Sequence, residues 1–194
     1  MTSRMREIYF HEDDYCQQQL LPHEAASFAD DEVKRIDEFA DAHQAPDGTG
    51  WTDIYRRQEA LKTFRSLNIS KEVFAAALAP FLPPFDVVQT GYSSHREQCT
   101  RTAAWGRSQE CAVFADWDED GIVANVWSAF FENSAESVLA AALAVAAIGQ
   151  IRPLVYADWA WGYTCDATNQ EIFVSKLKAK LDAIAARAAE FRQC

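Results

Sequence analysis

At 194 residues the chain is long enough for one packed domain, or one domain with a small appendage, and its 49% hydrophobic and 12% aromatic residues can fill a core. Its 29 acidic and 18 basic side chains leave a formal charge of −11, which disfavours direct binding to nucleic-acid phosphates. The imbalance is local: residues 11–60 hold 13 Asp/Glu against four Lys/Arg, whereas 176–192 is net basic.

Arg4, Arg6 and Glu7 stand where a secretory leader would be apolar. Arg6 to Phe10 and Cys16 to Leu21 are rich in strand-forming side chains, so a short hairpin or two edge strands is predicted, with His11-Glu12-Asp13-Asp14-Tyr15-Cys16 as its acidic tip. Pro22 ends the second strand. From Ser27, the spacing of Val33, Ile36, Phe39 and Ala40 predicts an amphipathic helix. Residues 44–51 (QAPDGTGW) have the composition of a loop facing solvent or a partner. A helical pattern resumes over Asp53 to Leu67, and Ser70 caps a further short helix that ends before Pro80.

Leu82-Pro-Pro-Phe85 leads into a strand over Asp86 to Tyr92. Two β-type runs, Cys111 to Trp117 and Ile122 to Phe131, flank Asp118-Glu-Asp-Gly121, a hairpin turn in which Gly121 can take the positive φ required. Asn133 to Glu136 has the capping-box pattern before an apolar helix that Gly149 is expected to stop. The apolar run Val138 to Ile148 is too short to cross a bilayer. A strand within residues 151–163 follows. Thr168 to Glu171 forms a second capping box, opening a long helix striped by Phe173, Leu177, Leu181, Ile184, Ala188 and Phe191. With no linker or internal repeat, residues 1–194 read as a single α+β domain: a mainly antiparallel sheet packed by several helices, ending in a long helix.

Two acidic clusters offer metal ligands. Asp116, Asp118, Asp120 and Gly121 match the start of an EF-hand loop, but Trp127 occupies the twelfth position, where the closing bidentate Glu belongs. The ordinary acidic turn is therefore the stronger reading. Consecutive residues such as His11 to Asp14 rarely converge on one ion, so a solvated turn is favoured there too. Five cysteines (Cys16, Cys99, Cys111, Cys165, Cys194) without CxxC spacing read as free thiols in a reducing cytosol. Ser93-Ser94-His95 is no dyad by adjacency, and no G-x-S-x-G elbow, Walker A loop, dinucleotide fingerprint, HExxH or zinc-deaminase signature occurs. No catalytic residue, metal or cofactor is assigned.

The six tryptophans are more informative. Most tryptophans are core residues, but Trp51, Trp159 and Trp161 lie near turns. An exposed pair beside acidic residues would suit a partner rich in Arg or Lys. The candidate partner-binding set is Glu12, Asp13, Asp14, Trp51, Asp116, Asp118, Glu119, Asp120, Trp159 and Trp161.

The segments REIYFHEDDYCQQQLLP and TAAWGRSQECAVFADWDEDG resemble those of small acidic immunity proteins encoded beside toxins in bacterial polymorphic-toxin systems, including type VI secretion systems. The likeness covers about a third of the chain, and a group paired with restriction-endonuclease-fold toxins is the nearest in style. It implies a cytoplasmic protein that binds one cognate toxin, often a basic nuclease, and occludes its active site, with no catalytic residues to carry over. Two alternatives stand beside it. One is a small cytosolic hydrolase using Cys99, Cys165 or a Ser with a histidine; the other is an adaptor docking through the carboxyl-terminal helix.

Overall fold

A computed structural model describes residues 5–92 and 94–191; Arg4, Ser93, Cys194 and the Phe191 side chain, named above, lie outside what is described. The order is β1 (Glu7–His11), β2 (Gln18–Pro22), α1 (Ala26–Ala42), α2 (Lys71–Leu78), β3 (Val87–Tyr92), β4 (His95–Gln98), β5 (Thr102–Ser108), β6 (Cys111–Trp117), β7 (Val123–Phe130), α3 (Ala135–Ile151), β8 (Leu154–Asp158), β9 (Tyr163–Asp166) and α4 (Gln170–Phe191). The α+β class, the antiparallel main sheet and the long last helix are as the sequence predicts.

Six strands form an antiparallel sheet in the order β5-β6-β7-β2-β8-β9, and three form a smaller sheet, β1-β3-β4. The expected β1–β2 hairpin is absent. β1 pairs in parallel with β3, from Glu7 opposite Val87 to His11 opposite Gly91, while β2 lies between β7 and β8 in the main sheet. Glu12–Asp14 is a single 3-10 turn where the chain changes sheets, capped by the His11 imidazole, which accepts from the Asp13 N–H at 3.2 Å.

Alternation along the central strands explains how both faces of the main sheet are covered. Leu20, Val113, Ala115, Val126, Leu154 and Tyr156 face one way, into a core shared with Phe74, Ile148, Phe173 and Leu177 from α2, α3 and α4. Their neighbours face the other way and split into two groups. Phe114, Trp127 and Ala112 pack with Ile8, Phe10 and Val88 of the small sheet, whereas Leu21, Val155, Ala157 and Trp159 pack under Ala29 and Val33 of α1. The second face is thus roofed by two separate bodies, and a gap runs between them.

Local signals hold with small shifts. Gly121 has φ +75° at the β6–β7 turn, and the Ser70 hydroxyl accepts from Val73 N–H to cap α2. The cap residues of α3 and α4 fall one position later than expected, at Ser134 and Asn169, whose side chains accept from Ser137 N–H and Ile172 N–H. α3 also continues past Gly149 to Ile151. There a Cβ would meet Thr168 Cγ2 at 3.4 Å, an ordinary contact distance, and the helix runs through the glycine without stopping at it.

The helix expected over Asp53 to Leu67 does not form. Residues 52–63 run as an irregular strap across the gap, followed by a 3-10 turn at Phe64–Leu67. The strap is pinned by Glu32, a buried residue of α1. Its Oε1 accepts from Gln58 N–H at 2.7 Å and from Tyr55 Oη at 3.0 Å, and its Oε2 from Arg35 Nε at 2.8 Å. These tertiary bonds outweigh the strap's local helical pattern.

Candidate functional site

The gap on the second face forms two adjoining grooves that share Ile36, Tyr55 and Trp159 as walls. The first, of about 590 Å³, lies between α1, the 44–54 loop and the β8–β9 turn. It brings Trp51 together with Trp159 and Trp161, residues far apart in the chain, and adds Asp37, Phe39, Asp53 and Ile54. Trp159 is buried, with its indole N–H donated to Gln19 Oε1 at 3.3 Å. Trp161 is half-buried; its ring carries the Arg187 guanidinium 4.9 Å from the centroid. Trp51 is 67% exposed and Ile54 90% exposed, so apolar surface faces solvent beside two carboxylates.

The second groove, of about 670 Å³, is bounded by the strap from Tyr55 to Ala60 and by Tyr15, Cys16, Gln17, Gln19, Asn125 and Trp159. At its end, Tyr15 Oη donates to Asp116 Oδ2 at 2.7 Å, and the Asn125 N–H donates to Asp116 Oδ1 at 2.9 Å. Asp116 is thus a structural acceptor that ties the 3-10 turn to the β6–β7 hairpin. Burial, the neighbouring Cys16 and the Asp116 carboxylate all push the Tyr15 phenol well above its ordinary value.

The remaining acidic candidates separate into two kinds. Glu12, Asp13 and Asp14 are exposed on the crossover turn. The 118–120 turn is largely neutralised within the fold. Asp118 lies 2.6 Å from Arg65 Nε, Asp120 3.9 Å from Arg65 Nη2 and Glu119 3.4 Å from Arg101 Nη2. The Ile122 and Asp120 N–H groups also point at Asp118; together with Arg65 they hold it below the ordinary carboxylate range. Among the described residues, no group of three or more His, Cys, Asp or Glu side chains is arranged to hold a metal ion.

Thiol chemistry finds little support. Cys16, Cys111 and Cys165 are buried, and burial raises all three, Cys16 and Cys165 to about 12. Cys99 is half-buried and is also raised, chiefly by burial. Cys16 lines the second groove, but neither groove contains a histidine. On α4, Phe173, Leu177 and Leu181 are buried in the core, so the leading half of its stripe is not free to dock. No described helix is long and apolar enough to cross a membrane.

Two charged groups that the sequence reading overlooked organise this region. One is Glu32. The other is a fully buried ion pair, Lys180 Nζ to Asp158 Oδ2 at 2.8 Å, with Asp158 Oδ1 also accepting from Trp161 N–H at 3.1 Å. Asp158 thereby fixes the turn that presents Trp161. Searches against protein-family models, curated proteins and solved structures found no match to this chain.

Proposed function

We propose that this protein is a binding protein that grips a basic partner in the tryptophan-lined groove, and that the partner is a cognate bacterial toxin neutralised by occlusion. The observation that carries the binding reading is the convergence of Trp51 and Trp161 beside Asp37 and Asp53. Arg187 lines the groove and stacks on Trp161, so a partner's guanidinium would use the exposed Trp51 ring or take the place of Arg187 on Trp161. Exposed aromatic anchors flanked by carboxylates supply both the hot spot and the charge complementarity that a cationic protein needs. The net charge of −11 and the exposed Glu12–Asp14 turn would speed encounter with such a partner. The toxin identity rests on the sequence resemblance alone.

The test is a growth assay with the product of the adjacent gene. Expressed by itself, that product should arrest cells; co-expression of this protein should restore growth; and the double variant Trp51→Ala, Trp161→Ala should lose the protection while remaining folded. A harmless neighbour would remove the toxin reading. Full protection by the double variant would remove the groove.

A further inference from the structure

The second groove holds a half-buried arginine, Arg57, with Arg56 and Glu59 also on its walls. Arg35, Arg65, Arg101 and Arg107 each meet a carboxylate at 2.6 to 3.4 Å. Arg57 does not, and among the described residues neither do Arg6, Arg56, Arg96, Arg152 or Arg187; Arg57 differs from Arg56, which lines the same groove, in being half-buried. It is nonetheless held in place. The guanidinium stacks over the Trp159 ring, 4.7 Å from the centroid, and Nη1 donates to the Cys16 carbonyl at 3.1 Å. Cys16 is one of two described non-glycine residues with positive φ, at 56°. Such a conformation is unfavourable for a non-glycine residue and persists where the surroundings enforce it.

We propose that this groove is a carboxylate-binding site, with the Arg57 guanidinium as its anchor and an amide-bearing molecule as its ligand. The planar fork of a guanidinium held on an indole face matches a carboxylate, and it leaves donors beyond the one spent on Cys16. Burial lowers Arg57 from the usual guanidinium value, and Cys16, Glu32 and Glu59 offset this only in part. It stays charged nonetheless. A dianion is the poorer fit, because Glu59 lines the same groove and the molecule as a whole is acidic. Gln17, Gln19 and Asn125 line the same groove. Gln19 spends only its oxygen, on the Trp159 indole, and Asn125 only its NH2 group, on Tyr15 and Asp116. The opposite halves of both amides are left to pair with a peptide-like group.

The carboxylate has two sources, the end of a peptide chain or an Asp/Glu side chain. The proposal does not rest on a basic partner, because small molecules test it. The 15N-labelled protein is titrated with N-acetylglycine, with N-acetylglutamate α-amide and with neutral N-acetylglycinamide, following the Trp159 indole N–H resonance. Saturable shifts with either acid, at least about tenfold tighter than with the neutral amide, are expected. Arg57→Gln should abolish that preference, and Arg57→Lys should keep part of it. The stronger of the two acids identifies the source. Equal binding of the neutral amide, unchanged affinity in Arg57→Gln, or no saturable shift with either acid at millimolar concentration would overturn the site. The wild-type comparison of acid with amide decides the matter even if a variant fails to fold.

Discussion

Glu32 shows how a single side chain sets the shape of a surface. Burial by itself would raise its carboxyl, but the Gln58 N–H, Arg35 and Tyr55 outweigh that and hold it below the ordinary glutamate value. A depressed carboxylate stabilises the fold above its unfolded-state value, and the contribution is lost as the pH falls through the depressed one. The strap should therefore stay docked at neutral pH and loosen only on acidification past the ordinary glutamate range, seen as faster hydrogen exchange at the Gln58 amide and a change in Tyr55 emission. Glu32→Ala should reproduce the loosened strap at pH 7, costing roughly 1 to 2 kcal/mol, because the Gln58 and Tyr55 donors lose their acceptor. Cysteines give a second check at this scale. With Cys16 and Cys165 raised to about 12 and Cys111 also raised, iodoacetamide at pH 7 should label none of the three in the native protein and all three after unfolding. Rapid native labelling of Cys16 would reopen the thiol-enzyme reading. Glu32 and Lys180 were legible in one sense. Each stands on the apolar stripe of its helix, three positions after Ala29 and Leu177, where a charge has to find a partner. Which partner was not legible, since Gln58 and Asp158 lie 26 and 22 residues away.

Among the elements, the packing of α4 on β8 turns on one ion pair. Burial pushes Asp158 up and Lys180 down, against their mutual attraction, so the pair has little net stability to offer even though breaking it is costly. Lys180→Met should destabilise the fold by about 3 to 5 kcal/mol in chemical denaturation, since Asp158 is left buried and unpaired. Adding Asp158→Asn should recover much of that loss in the double variant. Additive losses would show that packing, and not the stranded charge, dominates. Caps, the 118–121 turn and the leading half of the α4 stripe, Phe173 to Leu181, were readable because each is a local pattern within one element, whereas Ala188 further along is exposed. The role of the acidic run at 11–16 was not. Whether two neighbouring strands pair with each other depends on β3, which supplies the parallel partner of β1 some 80 residues later. The strap misled for a related reason: its spacing suits a helix, but its Gln58 N–H is bonded to the Glu32 side chain of α1.

At the scale of the molecule, the small sheet and α1 roof different parts of one sheet face, and the exposed aromatic surface gathers beside α1, between the 44–54 loop and the β8–β9 turn. The sequence pointed to Trp51, Trp159 and Trp161 by composition and turn context; only the β8–β9 turn and the 44–54 loop bring them into one groove. The acidic turns divide their roles accordingly. The 118–120 turn is held by Arg65 and Arg101, whereas Glu12, Asp13 and Asp14 remain available for long-range attraction. Neutralising those three as Gln, Asn and Asn should slow association with a basic partner and flatten its salt dependence, with little effect on dissociation. The groove should act on the other rate. The most direct test is the dissociation constant of the adjacent gene's product for wild type and for the Trp51→Ala, Trp161→Ala variant, measured by calorimetry at fixed salt. The account predicts a loss of at least about 2 kcal/mol, roughly thirtyfold, carried by faster dissociation. An unchanged constant in a folded double variant would contradict it.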